Sequence, residues 1–109
     1  MAEKIRILLI DDDEDDYIIT RDIIDDIPGR NYVLDWTGSF NEALDIIAEG
    51  RHDIYLVDFR LGAHDGLELI REAIKHGSTA PFILLTGQSD RETDEKAMRA
   101  GAMDYLVKG

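Results

Sequence analysis

The chain contains no cysteine, and its apolar residues never form a long uninterrupted run. The absence of cysteine excludes a disulfide framework, a thiolate metal site and a cysteine nucleophile. The apolar runs are far shorter than the roughly 20 residues that a membrane-spanning helix needs. No charged segment followed by an apolar stretch opens the chain, as it would in a secretory leader. These absences predict a soluble, cytoplasmic protein that does not contact a membrane.

Positive charge is scarce in this sequence. The 109 residues include 12 Lys and Arg against 24 Asp and Glu, which gives a formal net charge of -12. A protein that binds nucleic acid clusters Lys and Arg to neutralise phosphates, whereas the basic residues here are scattered singly. The composition therefore predicts no direct contact with nucleic acid. Apolar residues make up 44% of the chain, which is sufficient for one compact domain.

Short apolar runs alternate with helical patterns along the chain. Three runs of strand length are nearly continuous, which is typical of strands buried on both faces of a parallel sheet: residues 5–10, 54–57 and 82–85. Residues 33–37 and 104–107 are weaker strand candidates. Between these segments, apolar residues recur at intervals of three and four, which predicts four helices.

Five strands that alternate with four helices predict an α/β fold with a doubly wound, five-stranded parallel sheet. The helix starts are well marked, because a capping residue stands three positions before a glutamate at Ser39, Asp65 and Ser89. Ligands of such sheets bind beyond the carboxyl ends of the strands. We therefore expect the loops that follow the strands to carry the chemistry.

Carboxylates, a hydroxyl and an ammonium follow four of the predicted strands. An acidic run at residues 11–16 follows the first strand, Asp58 the third, Thr86 the fourth and Lys108 the fifth. Carboxylates that are brought together repel each other, so their pKa values rise and the fold is destabilised unless a cation intervenes. Mg²⁺ suits this set best, because it is held by one or two carboxylates plus waters and phosphate oxygens.

Each of these residues also has a purely structural interpretation. Acidic residues 13–16 suit a solvated first helical turn, where the helix dipole favours negative charge. The threonine can be an ordinary β-branched strand residue, and the lysine can be an ordinary surface residue. The functional interpretation rests on their occurrence together, and on Asp11, Asp12 and Asp58, which directly follow apolar strands.

The motifs at these strand ends resemble those of the receiver domains of two-component response regulators. The matching motifs are Ile10-Asp11-Asp12, Val57-Asp58, Asp65-Gly66-Leu67-Glu68, Leu85-Thr86-Gly87 and the run from Ala100 to Lys108. The resemblance covers all 109 residues and implies one receiver domain over residues 1–109 with the flavodoxin-like strand order 2-1-3-4-5. Such domains normally carry a fifth helix. We expect this helix and any output domain to be missing from this chain.

The resemblance also implies a phosphoacceptor and a metal site. Carried over by position, Asp58 is the phosphoacceptor and takes a phosphoryl group from a sensor histidine kinase or a phosphotransfer protein. The carboxylates of Asp11, Asp12 and Asp58 and the backbone carbonyl of Arg60 are the implied ligands of Mg²⁺. Such a domain is not an enzyme toward other molecules, since it catalyses only its own Mg²⁺-dependent phosphorylation and dephosphorylation.

Further residues are implied to act on the phosphorylated state. Thr86 and Lys108 are expected to contact the phosphoryl group, and Thr86 and Tyr105 to form the switch. Arg60 and Gln88, which flank the path of attacking water, are expected to tune hydrolysis. The switch is expected to change the surface of the fourth helix and fifth strand. A homodimer is possible through that surface or through the uncovered face of the fifth strand.

The alternative function is that of a Mg²⁺-dependent aspartyl-phosphate phosphohydrolase. Asp11 and Asp13 have the Asp-x-Asp spacing of such enzymes, but their catalytic domain and cap need considerably more chain than 109 residues. Labelling distinguishes the two functions, because phosphate goes onto Asp58 in a receiver and onto Asp11 in the hydrolase. An EF-hand calcium loop is excluded, because Asp16 occupies its sixth position, where glycine is needed.

Overall fold

A computed structural model of the protein describes residues 4–29, 31–86 and 91–107. Within these ranges the strands are β1 (Lys4–Ile10), β2 (Asn31–Thr37), β3 (Ile54–Asp58), β4 (Arg60–Leu61), β5 (His64–Asp65), β6 (Phe82–Thr86) and β7 (Asp104–Val107). The helices are α1 (Glu14–Asp25), α2 (Phe40–Ala48), α3 (Gly66–Lys75) and α4 (Arg91–Ala100). None of the described helices is both long enough and apolar enough to cross a membrane.

Five of the strands form one parallel sheet in the order β2-β1-β3-β6-β7. These are the five strands that the apolar runs predict, so the α/β fold and the strand order 2-1-3-4-5 are confirmed. The remaining strands, β4 and β5, form a separate antiparallel hairpin between β3 and α3. No pattern in the sequence predicts this hairpin.

The main hydrophobic core lies on one face of the sheet, beneath α2, α3 and α4. Side chains alternate between faces along each strand, so Leu8 and Ile10 of β1 enter this core while Ile7 and Leu9 point to the other face. Helix α2 packs against α3, and α3 packs against α4. Helix α1 lies against the edge strand β2 and buries none of its residues.

Side-chain caps fix where three of the helices begin. The Ser39 hydroxyl accepts a hydrogen bond from the backbone N–H of Glu42 at 3.3 Å, and Asp65 Oδ1 accepts one from Glu68 at 2.8 Å, as their spacing predicts. Helix α1 is capped by Asp13, whose Oδ1 accepts from the N–H of Asp15 at 2.9 Å. The third predicted capping residue, Ser89, lies outside the described residues.

Gly66 lies at the first position of α3, directly behind the end of β3. Its N–H donates a hydrogen bond to the carbonyl oxygen of Phe59 at 2.8 Å, which holds the first residue of α3 close to the end of β3. A Cβ at this position would collide with the carbonyl oxygen of Asp58 and would lie 2.9 Å from Val57 Cγ1. The close approach of helix and strand therefore requires glycine here.

We predict that Gly66→Ala lowers the free energy of unfolding by about 2–3 kcal/mol, because the added methyl overpacks a rigid contact. The matched control is Gly50→Ala. Gly50 has a φ of 67° and no atom within 4 Å of an added Cβ. Alanine at this position is therefore expected to cost only the backbone strain, about 1 kcal/mol. Urea unfolding of both variants measures the difference, and equal losses would contradict the packing argument.

Candidate metal centre

Three carboxylates meet at the carboxyl edge of the sheet. Asp11 directly follows β1 and Asp58 ends β3; these strands are paired neighbours, with Ile10 opposite Val57. One oxygen from each of Asp11, Asp12 and Asp58 lies within 4.8 Å of the others. The pairing of β1 with β3 therefore brings together the three carboxylates that the sequence assigns to a metal site.

The three carboxylates differ in burial. Asp11 is fully buried and Asp58 is 9% exposed, whereas Asp12 lies at the surface. Negative groups held this close in a poorly solvated place repel each other, so a bound cation stabilises the arrangement. The ligands are all hard oxygens, which fit a divalent ion of the Mg²⁺ or Ca²⁺ type. Asp12 keeps one side of the cluster open to solvent.

Backbone N–H groups orient two of the three carboxylates. Asp11 Oδ1 accepts a hydrogen bond from the N–H of Asp13 at 3.0 Å, and Asp12 Oδ2 accepts one from the N–H of Gly62 at 3.0 Å. Gly62 lies in the turn of the β4–β5 hairpin with a φ of 64°, a conformation that favours glycine. The hairpin therefore contributes to the site, because its turn holds Asp12.

Trp36 supports the site from the edge strand β2, a contact that the sequence analysis missed. Its indole N–H donates to the backbone carbonyl of Asp11 at 2.7 Å. Its ring stacks on Tyr17 of α1, with centroids 4.9 Å apart and ring planes 9° from parallel. The guanidinium of Arg21 lies 5.6 Å from the Tyr17 ring centroid. The only signal in the sequence was a single tryptophan near the end of a strand.

Of the other residues that the sequence assigns to the site, some lie in the described part of the chain and some lie outside it. Thr86 ends β6 and is buried, and β6 pairs with β3 so that Leu85 lies opposite Asp58. Arg60 lies in β4 with an exposed side chain. Tyr105 belongs to β7, but its side chain is not described. Lys108 and Gln88 lie outside the described residues, so their roles stay predictions.

A doubly wound parallel sheet with polar residues gathered at the carboxyl ends of its strands defines a class of α/β domains that bind their ligands there. A family model described as "Response regulator receiver domain" matches residues 7–109. The chain therefore belongs to the response regulator receiver domain family, and it is a receiver domain of the two-component type.

Individual relatives agree with this assignment. The two-component response regulator PhoP of Pseudomonas aeruginosa is 30% identical over 95 residues, which are 87% of this chain and 42% of PhoP. The chain thus spans less than half of the length of this curated relative, and it spans 23% of the transcriptional regulatory protein ZraR of Salmonella typhimurium, which is 33% identical over 105 residues.

Solved structures give the same result. A response regulator of Burkholderia pseudomallei, crystallised with a phosphorylated aspartic acid, a calcium ion and citrate, is 28% identical with a TM-score of 0.80. That match covers 95% of this chain and 59% of the other. A putative response regulator of Chloroflexus aurantiacus is 28% identical with a TM-score of 0.86, over 97% of this chain and 86% of the other.

We predict that Trp36→Phe weakens the binding of Mg²⁺ several-fold, or by about 1 kcal/mol, because the Asp11 carbonyl loses its donor while the aromatic stack is kept. The measurement is the rise in melting temperature across a Mg²⁺ titration, which reports preferential binding to the folded state. Tyr32→Phe, on the same strand but at its other end, is the control and is expected to leave the affinity unchanged. An unchanged affinity in Trp36→Phe would contradict the supporting role.

Proposed function

We propose that this chain is a phosphoacceptor module in which Asp58 accepts a phosphoryl group in a Mg²⁺-dependent reaction. The observation that carries the proposal is the position of Asp58, a nearly buried carboxylate within 4.8 Å of two others at the carboxyl edge of the sheet. The phosphorylated aspartic acid in the Burkholderia pseudomallei response regulator supports the same chemistry in a relative.

The proposed ligands of Mg²⁺ are the carboxylates of Asp11, Asp12 and Asp58 and the backbone carbonyl of Arg60. A set of hard oxygens with one surface-exposed member suits an ion that keeps several waters and accepts a phosphate oxygen. When bound, the ion supplies positive charge against the phosphoryl oxygens. The backbone N–H groups of Asp13 and Gly62 hold two of the carboxylates in place for it.

The proposed reaction is an in-line displacement at phosphorus. A carboxylate oxygen of Asp58 attacks the phosphorus of a phosphohistidine on a sensor kinase or phosphotransfer protein. The new O–P bond forms as the N–P bond breaks, and the electron pair returns to the histidine nitrogen, which then takes a proton. Catalysis is mainly positioning. The hydrogen bonds from Phe59 to Leu85 and from Gly66 to Phe59 hold the backbone that follows Asp58.

The phosphorylated state is proposed to be recognised by Thr86 and Lys108. The Thr86 hydroxyl donates a hydrogen bond to a phosphoryl oxygen, and the Lys108 ammonium pairs with the phosphoryl charge. Movement of Thr86 toward the phosphate vacates space for Tyr105, which changes the surface of α4 and β7. Met98 and Met103 are 54% and 66% exposed on or beside this surface, which suits it for a partner or a second copy.

The geometry of the site does not favour the phosphohydrolase alternative. Such an enzyme needs Asp11 and Asp13 to act together on the phosphate. Instead, Asp13 caps helix α1, and its Oδ1 accepts a hydrogen bond from the N–H of Asp15 at 2.9 Å. Asp13 is not a member of the three-carboxylate cluster. The cluster instead contains Asp58, the residue that a receiver phosphorylates.

The cellular setting follows from this chemistry. The proposed partner is a histidine kinase or phosphotransfer protein, which phosphorylates receivers in the cytoplasm. With a net charge of -12, this chain is proposed to make no direct contact with nucleic acid. The name of ZraR indicates a role in transcription for that protein. Any such role of this protein would then lie in other domains.

We predict that acetyl phosphate phosphorylates the wild-type chain only when Mg²⁺ is present, and that Asp58→Asn abolishes the reaction because the nucleophilic oxygen is lost. Mass spectrometry of the intact protein and of its peptides locates the phosphate. The matched control is Asp13→Asn, which removes the same charge near the site and is expected to retain labelling. Full labelling of Asp58→Asn would assign the nucleophile elsewhere, and label on Asp11 would favour the hydrolase.

We predict that Arg60→Ala loses the phosphoryl group several-fold faster than wild type, a change of about 1 kcal/mol. The exposed guanidinium can lie across the phosphoryl oxygens and shield phosphorus from water. Dephosphorylation of Asp58 is followed at fixed Mg²⁺, with Arg51→Ala as a control for the loss of an exposed arginine. An equal or slower rate in Arg60→Ala would refute the shielding role. Gln88 is proposed to have the opposite effect and to speed hydrolysis by orienting the attacking water.

A further inference from the structure

Asp12, the exposed member of the acidic cluster, lies against two backbone segments. Gly62 in the hairpin turn donates its N–H to Asp12 Oδ2 at 3.0 Å. Gly38, between β2 and α2, lies so close that a Cβ there would be 3.3 Å from the carbonyl oxygen of Asp11 and 3.5 Å from Asp12 Cα. The position of the Asp12 carboxylate therefore depends on both segments.

A pair of aromatic rings joins these two segments. Phe40 follows Gly38 by two positions and begins α2, and His64 follows Gly62 by two positions in β5. The two rings stack with their centroids 4.2 Å apart and their planes 20° from parallel. Stacked rings attract each other beyond the effect of the area that they bury. The stack therefore ties the hairpin to the start of α2.

Helix α3 fixes the orientation of the His64 ring. The Nδ1 of His64 lies 3.0 Å from Glu68 Oε2. A carboxylate only accepts hydrogen bonds, so Nδ1 carries a proton and donates it. Both side chains are 47% exposed, and a polar pair with this exposure contributes little to stability. Glu68 therefore orients the ring, whereas the stack on Phe40 supplies the contact that holds the hairpin.

The hairpin needs such an anchor because it is very short. Its two residue pairs are Arg60 with Asp65 and Leu61 with His64. A ladder of this length is not stable by itself, and the glycine in its turn leaves the backbone free to adopt other conformations. Leu61 anchors one strand, because its side chain is buried in the core. His64 lies opposite Leu61 and anchors the other strand.

We propose that His64 is a positioning residue for the metal site, because its stack on Phe40 holds the turn whose Gly62 N–H keeps the Asp12 carboxylate in place for Mg²⁺. The inference rests on the proposed role of Asp12 as a metal ligand. No histidine belongs to the ligand cluster in the described part of the chain, so His64 acts through the hairpin and not on the ion. Without the stack, Asp12 loses its fixed partner and the affinity for Mg²⁺ falls.

The test is a titration of the ¹⁵N-labelled chain with Mg²⁺, in which the amide signals of Asp13 and Gly62 report binding. His64→Ala is expected to raise the dissociation constant at least threefold, a change of about 0.7 kcal/mol or more. His64→Phe keeps a ring on Phe40 without the contact to α3, and it is expected to restore the constant to within about twofold of wild type.

The matched control is His76→Ala. His76 is an exposed histidine at the other end of α3, and its Nε2 lies 3.5 Å from Glu72 Oε2. This variant removes a ring and a polar pair of the same kind far from the hairpin, so the dissociation constant is expected to stay unchanged. A rise equal to that in His64→Ala would overturn the inference.

Phe40→Leu tests the other ring of the stack, since it keeps an apolar side chain at the start of α2. It is expected to weaken Mg²⁺ binding about as much as His64→Ala. The double variant is expected to lose no more than the larger single loss, because both changes remove the same contact.

The outcomes separate this inference from the proposed metal site. An unchanged constant in His64→Ala, additive losses in the double variant, or equal losses in His64→Phe and His64→Ala would overturn the role of His64 and leave the metal site standing. A wild-type chain whose amide signals show no saturable shift with Mg²⁺ would overturn the metal site and the role of His64 together.

Discussion

The close approach of three carboxylates at the carboxyl ends of β1 and β3 is the constraint on which the site depends. Parallel pairing of β1 with β3 forces Asp11 and Asp58 to the same edge, and Asp12 follows directly. The surrounding backbone stabilises the arrangement through the N–H of Asp13, the residue that caps α1, and the N–H of Gly62 in the hairpin turn. Carboxylates held this close repel each other, and a divalent cation among them would offset that repulsion. The strand pairing therefore assembles a set of oxygen ligands that suits a divalent ion.

Local signals in the sequence were sufficient for the five strands and for the meeting of Asp11, Asp12 and Asp58, whereas the strand order was implied by the resemblance to receiver domains. Continuous apolar runs mark strands that are buried on both faces, and residues that follow such runs must meet at one edge. The capping residues Ser39 and Asp65 were readable for the same reason, since a cap and its partner lie three residues apart.

What the sequence did not reveal depends on contacts between distant residues. Strands of two residues, such as those of the β4–β5 hairpin, are too short to have a periodic pattern. Trp36 and Asp11 are 25 positions apart, and nothing in either segment indicates that an indole N–H meets a backbone carbonyl.

The first helix illustrates a last consequence of this architecture. Helix α1 buries no side chain, and Ile19 and Ile23 are 57% and 61% exposed, so little of the core opposes its local opening. Yet its capping residue, Asp13, also donates its N–H to the carboxylate of Asp11. The order of this helix and the state of the acidic cluster are therefore coupled through Asp13. By reciprocity, an ion that stabilised the cluster would stabilise the first turn of α1 by that same coupling free energy, so amide hydrogen exchange in this turn would report the state of the acidic cluster.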